Sequence, residues 1–168
     1  MATVKTVFPA TARIPAPLTG FAPLTVLSGG AAAPHTPVLA FDATVAEEAQ
    51  FIGQSVAYGS GNWTIRIRYA MASATTGDVK WNAQLRALTP GDAQIITADA
   101  FATANTATDT VPGTAGHMKE AAITLSNLDS VAADDYYTLR IVRDAADAGD
   151  TATGDGRLVS VTVEYSDT

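Results

Sequence analysis

The sequence predicts an all-β fold, an antiparallel β-sandwich of jelly-roll type that follows an extended proline-rich N-terminal arm. From residue 38 onward, apolar and polar residues alternate with the period of two that is typical of strands. The prolines are concentrated at the other end of the chain, because six of the eight lie in the first forty residues. They are Pro9, Pro15, Pro17, Pro23, Pro34 and Pro37. The predicted division is therefore an arm at residues 1–37 and a sandwich domain at residues 38–168.

The clearest alternation occurs in two neighbouring runs, residues 63–71 and 79–87. Apolar side chains occupy the odd positions of both runs, and arginine, lysine or other polar residues occupy most of the even ones. The segment between them, residues 73–78, is rich in Ser, Thr, Gly and Asp, which favour turns. The pattern predicts an antiparallel hairpin.

The remaining elements follow from the same pattern. Further strands are predicted near 51–58, 95–111 (one longer strand with a bulge), 120–126, 135–142 and 157–165. A short helical turn is predicted around 44–50. Seven or eight strands at this spacing are typical of a sandwich or jelly roll.

The predicted arm carries large apolar side chains between its prolines, unlike a polar flexible linker. Five of them are the candidate contacts with another subunit or with a partner: Phe8, Ile14, Leu18, Phe21 and Leu24. Such side chains must be buried somewhere. The arm either folds over its own domain or lies on a partner, and the sequence leaves both open.

The formal net charge of −7 disfavours binding to nucleic acids and to anionic membranes, since both need a basic surface. Four basic residues nevertheless lie at outward positions of the predicted hairpin: Arg66, Arg68, Lys80 and Arg86. If the two strands share a sheet, they form one basic face. That face is either solvated and balanced by acidic loops, or a docking surface for an acidic partner.

The chain contains no cysteine, which excludes disulfides and thiolate metal sites. No run of 18 apolar residues occurs, and the first residues lack the apolar stretch of a signal peptide. We therefore expect synthesis in a cytoplasm without export by the Sec route.

No residue pattern indicates catalysis, so we expect no enzyme activity and no cofactor. The two histidines, His35 and His117, belong to no metal-binding or triad pattern, and no G-x-S-x-G or phosphate-binding loop occurs. Glu120 and Glu164 are the strand-borne carboxylates that a glycosidase would need, but the pattern indicates no lining of aromatic residues around them.

The stretch from Asp144 to Asp155 is the best candidate for a metal site. Its four aspartates, Asp144, Asp147, Asp150 and Asp155, supply the oxygen ligands that calcium prefers. Their spacing is not that of an EF-hand, and a polar loop of Asx-turns is the simpler interpretation. Calcium binding by this loop is left open.

Carbohydrate binding on a sheet face calls for exposed aromatic side chains. Trp63, Tyr69, Trp81 and Tyr137 are in phase with the aliphatic residues, which predicts that they lie in the core. Tyr58 and Tyr136 are the tyrosines that could be exposed, but they do not form a platform for a sugar ring.

Several segments carry a resemblance to a known group of proteins. They are Asp42-Ala-Thr44, Thr75-Thr-Gly-Asp-Val-Lys-Trp81, Thr124-Leu-Ser-Asn-Leu-Asp-Ser-Val-Ala-Ala133, Tyr137-Thr-Leu-Arg-Ile-Val-Arg-Asp144, Asp150-Thr151 and Val159-Ser-Val-Thr-Val-Glu-Tyr165. Over residues 40–166 the chain resembles jelly-roll virion structural proteins of tailed bacteriophages. These motifs are strand and turn signatures, so the resemblance transfers no functional residues.

The resemblance implies a capsid decoration (cement) protein that binds the outer capsid surface and stabilises the shell. The implied partners are the major capsid protein and two further copies in a homotrimer, on the exterior of a virion. The alternative from a different functional class is a tail-fibre or receptor-binding module that recognises carbohydrates.

Overall fold

The computed structural model describes residues 2–15 and 19–167, which form ten β-strands and one short 3-10 turn at Ala10–Ala12. The strands are β1 (Thr3–Pro9), β2 (Leu24–Ser28), β3 (His35–Phe41), β4 (Glu47–Gln54), β5 (Trp63–Met71), β6 (Asp78–Leu88), β7 (Asn105–Thr110), β8 (Lys119–Leu125), β9 (Tyr136–Arg143) and β10 (Gly156–Ser166). Among the described residues no helix has the length and hydrophobicity needed to cross a membrane.

The strands form two antiparallel sheets that face each other as a sandwich, as the sequence predicts. The large sheet has six strands in the order β2-β3-β10-β5-β8, with β1 also paired to β10. The small sheet has four strands in the order β4-β9-β6-β7. Strands that are distant in sequence are neighbours in both sheets, as in other jelly rolls.

The core lies between the two sheets and is built from the inward positions of the alternating strands. Its largest side chains are aromatic, and Trp63, Tyr69, Trp81 and Tyr137 are all fully buried. The prediction that these four residues form the core is confirmed. The ring of Trp63 contacts Tyr137 edge-on at 5.0 Å between centroids, which joins the two sheets.

The predicted hairpin of residues 63–71 and 79–87 is wrong, although both strands exist. β5 belongs to the large sheet and β6 to the small sheet, so the segment between them crosses the sandwich. Both strands have one apolar side, and each buries it against the other across the core. Tyr69 on β5 meets Trp81 on β6 edge-on at 5.4 Å. Stacking of inner faces, rather than a tight turn, decides how these strands are placed.

The helical turn predicted around residues 44–50 is also wrong, because β4 begins at Glu47. Asp42 forms the turn before it, where its Oδ1 accepts hydrogen bonds from the backbone N–H groups of Thr44 and Val45. A hydrogen bond from the Thr44 hydroxyl to the same oxygen, together with these backbone bonds, lowers the pKa of Asp42 below its usual range. The strand predicted at 95–111 is confined to β7, and residues 89–104 form a long connection along the small sheet.

The residues of the predicted arm close one side of the sandwich. β1 pairs with β10 along its length, and Phe8 packs on Phe51 with ring centroids 5.7 Å apart. Further along, the backbone N–H groups of Ile14 and Ala22 donate to carbonyl oxygens of β4, each at 2.9 Å. β2 then pairs with β3 in the large sheet. The sequence leaves open whether the arm lies on its own domain or on a partner. In the structure, the described part of the arm lies on its own domain. The domain boundary at residue 37 stays a prediction.

Candidate binding face on the small sheet

The outer face of the large sheet is covered by ion pairs. Arg66 contacts Glu120 at 2.9 Å and Glu164 at 3.0 Å, and Arg68 contacts Glu120 at 3.0 Å. Lys5 of β1 contacts the other oxygen of Glu164 at 2.8 Å. Hydrogen bonds from Lys5 and Arg66 lower the pKa of Glu164. In these five residues, which we call the ion network, each carboxylate is paired with two cations, so neither carboxylate is free to act as a glycosidase acid or nucleophile.

The single basic face that the sequence predicts is not formed. Arg66 and Arg68 lie on β5 of the large sheet, whereas Lys80 and Arg86 lie on β6 of the small sheet. The prediction depends on the hairpin, and the two strands instead point their polar sides away from each other on opposite faces of the sandwich. Lys80 is further paired with Asp147 at 2.6 Å.

The outer face of the small sheet carries a band of polar side chains that crosses three strands. Gln50 on β4, Arg140 on β9 and Gln84 on β6 are in register, and Glu48 lies two residues before Gln50. We call these four residues the polar row. Arg140 donates to Glu48 Oε2 and, at 2.8 Å, to Gln84 Oε1, while Gln50 Nε2 donates to Glu48 Oε1 at 2.7 Å.

The polar row keeps hydrogen-bonding capacity after these internal contacts. All four side chains are half-buried, which leaves part of each open to solvent. A glutamine amide has two donors and two lone pairs, and a guanidinium has five donors. The Arg140 guanidinium also lies 5.7 Å from the ring centroid of Phe101, which limits the orientations that it can adopt. The row is therefore an ordered set of planar polar groups on a strand surface.

The connection between β6 and β7 runs alongside this row and is bound to it by side chains of the sheet. Arg86 Nη1 donates to the carbonyl oxygen of Ile96 at 2.6 Å, and Gln84 Nε2 donates to that of Ala102 at 3.0 Å. These bonds hold residues 89–104 against the β6 side of the face. Phe101 of the same connection reaches Arg140 on β9.

A cleft of about 480 Å³ lies where this connection meets the end of the small sheet. Its lining includes Leu88, Thr89, Pro90, Gln94, Ile96 and Tyr136. Leu88 and Tyr136 face each other in the register of β6 and β9, two rows beyond the polar row. The volume is within the range of small-ligand sites, about 300–1,000 Å³. Tyr136 is 39% exposed, whereas Tyr58, the other tyrosine expected at the surface, is buried.

The five predicted contact residues are not brought together on one surface. Phe8 is in the core, Ile14 and Phe21 are half-buried beside β4, and Leu24 is 42% exposed on β2. Leu18 lies outside the described residues. The structure explains the apolar character of Phe8 by burial within the chain itself, and whether the others contact a partner stays a prediction.

The aspartate-rich loop is organised by an arginine. The Arg143 guanidinium is fully buried and donates to both oxygens of Asp150 and to the carbonyl oxygens of Ala152 and Gly154. Asp147 accepts from Lys80, which lowers the pKa of that carboxyl. In residues 2–15 and 19–167, no three His, Asp or Glu side chains are placed to hold one metal ion. The polar-loop interpretation accounts for the contacts of Asp147 and Asp150.

Sequence reasoning found part of the candidate site. The alternating pattern places Gln84 and Arg140 at outward positions, and Tyr136 was among the tyrosines left for the surface. It missed Glu48 and Gln50, because their segment was predicted as a helical turn. The available signal was the alternation that continues from Ala49 through Phe51 and would have extended the strand toward the N-terminus.

No protein-family model and no curated protein sequence matches the chain. Solved structures match it in fold. A CBM35 from Cellvibrio japonicus Abf62 superposes with a TM-score of 0.52 at 11% identity, covering 98% of this chain and 99% of that one. A family 35 carbohydrate binding module from an environmental isolate gives 0.51 at 14% identity, with 94% and 91% covered. A family 35 module from Clostridium thermocellum gives 0.50 at 12% identity, with 95% and 97% covered. At these identities the likeness shows the jelly-roll fold alone, and none of the three is a virion protein.

Proposed function

We propose that this protein is a non-catalytic carbohydrate-recognition module that binds glycan chains on the outer face of the small sheet. The observation that carries the proposal is the polar row, where Gln50, Gln84 and Arg140 align across three strands next to a cleft walled by Tyr136. Sugars are recognised by planar polar side chains that bond their hydroxyls and by an aromatic ring that packs on their C–H faces.

The charge of the protein favours neutral glycans as ligands. The formal net charge is −7, and a polyanionic polysaccharide would be repelled over the whole approach to the surface. The Arg140 charge is balanced by Glu48 beside it. The polar row therefore presents hydrogen bonds rather than an uncompensated charge, as a neutral hydroxyl-rich ligand requires.

The jelly-roll fold is compatible with carbohydrate binding, and this compatibility is all the support that the fold gives. The three compared structures are named as carbohydrate-binding modules, and the same jelly-roll fold is used in other proteins for other functions. Carbohydrate binding by this chain therefore depends on its own polar row and cleft.

The test is affinity electrophoresis of the full chain in gels that contain xylan, glucomannan, galactan or β-glucan, followed by calorimetry with the polysaccharide that retards it. Replacement Arg140→Ala removes a charged donor from the row, and we expect binding to weaken about tenfold or more. Gln50→Ala is the second variant, since its side chain bonds only Glu48 among the described contacts and its loss leaves no charge unpaired.

Arg66→Ala is the matched control, because it also removes an arginine from an outward strand position but on the opposite face. We expect it to bind as the unmodified protein does. The proposal is overturned if no polysaccharide in the panel retards the protein. It is also overturned if Arg140→Ala and Arg66→Ala lose the same amount of binding affinity.

A virion role is the second candidate, and the observation that favours it is the exposed edge of the large sheet. Leu24 is 42% and Val26 is 62% exposed on β2, and an apolar edge strand is a surface that other chains can pair with. Decoration of a capsid exterior, the major capsid protein as partner and a homotrimer stay predictions. Co-sedimentation with assembled capsids tests them, and a chain that stays in the supernatant would contradict the role.

A further inference from the structure

One edge of the large sheet is open for pairing with another strand. β2 stands at the end of the strand order of this sheet, and in residues 2–15 and 19–167 it pairs with β3 alone. Four of its five residues are exposed, among them Leu24 at 42% and Val26 at 62%. An edge strand of this kind is a template on which a further strand can be added.

The alternation of an antiparallel ladder shows which backbone groups of β2 face this open edge. The Pro23 carbonyl oxygen accepts from the Ala40 backbone N–H at 3.0 Å, so position 23 points its backbone toward β3. Every second residue of the strand does the same, and the residues between them point the other way. Leu24, Val26 and Ser28 therefore direct their backbone N–H and carbonyl groups to the open edge.

β2 lacks the charged side chains that protect many edge strands from pairing. Residues 14–41 contain no Asp, Glu, Lys or Arg, although the formal net charge of the chain is −7. The other strands at the ends of the two sheets, β4, β7 and β8, all carry charges, at Glu47, Glu48, Asp109, Lys119 and Glu120. β2 is thus the end strand on which two copies of this acidic protein can meet without placing like charges opposite each other, and it offers no counter-charge to a charged partner.

We infer that β2 pairs with β2 of a second copy, so that the chain forms a dimer about a two-fold axis. The register that uses all three outward-facing residues puts the axis at Val26, where Val26 lies opposite the partner's Val26 and Leu24 lies opposite the partner's Ser28. A strand that pairs antiparallel with itself is self-complementary, as a two-fold interface requires. The exposed side chains of Leu24 and Val26 then lose contact with water.

Two properties of this dimer follow from the position of β2. Each copy has one open edge of this kind, so the pairing closes with two copies, whereas the sequence predicts a homotrimer. β2 belongs to the large sheet and the polar row to the small sheet, so the dimer does not depend on carbohydrate binding.

Analytical ultracentrifugation of the full chain tests the dimer. An edge of five residues is a small interface, so we expect mainly monomer at about 10 μM and mainly dimer at about 1 mM. Val26→Lys puts two like charges opposite each other at the axis, and we expect the dissociation constant to rise about tenfold or more. Val7→Lys is the matched control, because Val7 is also an exposed valine of the large sheet, at 55%, but lies on β1, and it should dimerise as the unmodified protein does.

Two further measurements test the register. Val26→Glu alone should also lose the dimer, whereas an equimolar mixture of Val26→Lys and Val26→Glu should regain it, because opposite charges then face each other. The chain contains no cysteine, so Val26→Cys has a single thiol. Residues that lie opposite each other in a ladder are close enough for a disulfide, and mild oxidation should link two copies of Val26→Cys much faster than two copies of Val7→Cys.

The inference is overturned if the unmodified chain is monomeric at about 1 mM or forms a trimer. It is also overturned if Val26→Lys and Val7→Lys dimerise equally, or if the mixture of Val26→Lys and Val26→Glu stays monomeric. Circular dichroism shows whether each variant is folded. A chain that is monomeric alone but co-sediments with capsids, and loses this binding in Val26→Lys and not in Val7→Lys, would show that a capsid protein occupies the edge instead of a second copy.

Discussion

The two outer faces of the sandwich use polar side chains in opposite ways. On the large sheet, the ion network pairs each carboxylate with two cations and connects β1, β5, β8 and β10. On the small sheet, the polar row has a single carboxylate, and its glutamine amides keep donors and acceptors unused. The first face uses its hydrogen-bonding groups to hold strands together, and the second leaves donors and acceptors of its glutamine amides unused among the described contacts.

This difference shows why counting charges along a sequence does not locate a binding surface. The large-sheet face has more charged residues, yet the five of the ion network are paired with one another. The small-sheet face has fewer, but a cleft adjoins it. What matters for binding is the capacity that remains after intramolecular contacts are made.

The largest effect on the free energy of unfolding is expected for the ion pair of Arg143 and Asp150, which lies between the two faces. Replacing Arg143 by methionine leaves the Asp150 carboxylate, whose side chain is 1% exposed, without its cation. We expect the free energy of unfolding to fall by about 3–5 kcal/mol, since a buried charge without its partner is strongly unfavourable. Urea denaturation measures it.

Arg68→Met is the matched control at an exposed ion pair, where the loss should stay under about 1 kcal/mol. Similar losses for the two variants would mean that burial does not distinguish the core pair from the ion network.

A smaller effect on stability is expected for Glu164→Gln on the large-sheet face. The carboxylate accepts from Lys5 and Arg66, which holds its pKa below the usual value, so its contribution to stability is present at neutral pH and is lost as the pH falls through that lowered pKa. We expect the variant to melt roughly 2 °C lower at pH 7, with the difference disappearing in acid once both proteins are uncharged at this position.

Thermal melts of both proteins from pH 7 down to the acid range measure this difference. Lys5→Met provides the partner control, because in its background the Glu164→Gln effect should be reduced. A melting difference that stays constant with pH would show that the ion network does not depend on the Glu164 charge.

The smallest effect on stability is expected on the small-sheet face. Gln50→Ala removes one hydrogen bond to Glu48 at a half-buried position, and the free energy of unfolding should change by less than about 0.5 kcal/mol. Chemical denaturation measures it. A loss above about 1 kcal/mol would remove the contrast between the faces, because the polar row would then be holding the sandwich together as the ion network does.

The fold class could be predicted from the sequence because alternation is a local property. Which side chains of β5, β6 and β9 point inward follows from the period of two, and Trp63, Tyr69, Trp81 and Tyr137 lie where it places them. In β10 an irregularity between Leu158 and Ser160 breaks that period. The candidate site was predicted only in part. Gln84 and Arg140 were at outward positions, but nothing in their local sequence indicates that β6 pairs with β9 rather than with β5.

The sequence alone determined the β-sandwich class, the inward and outward residues of most strands, and the presence of apolar groups in the N-terminal segment that had to be buried. Only the tertiary structure decided which strands are neighbours, where the described arm residues are buried, and that Gln50, Gln84 and Arg140 lie side by side. The physical reason is that backbone hydrogen bonds are the same for any pair of strands, so the pairing is selected by packing of inner faces between distant segments. Phe8 on Phe51 and Tyr69 on Trp81 are such contacts, and they bring together residues that are separated by 43 and 12 positions in the chain.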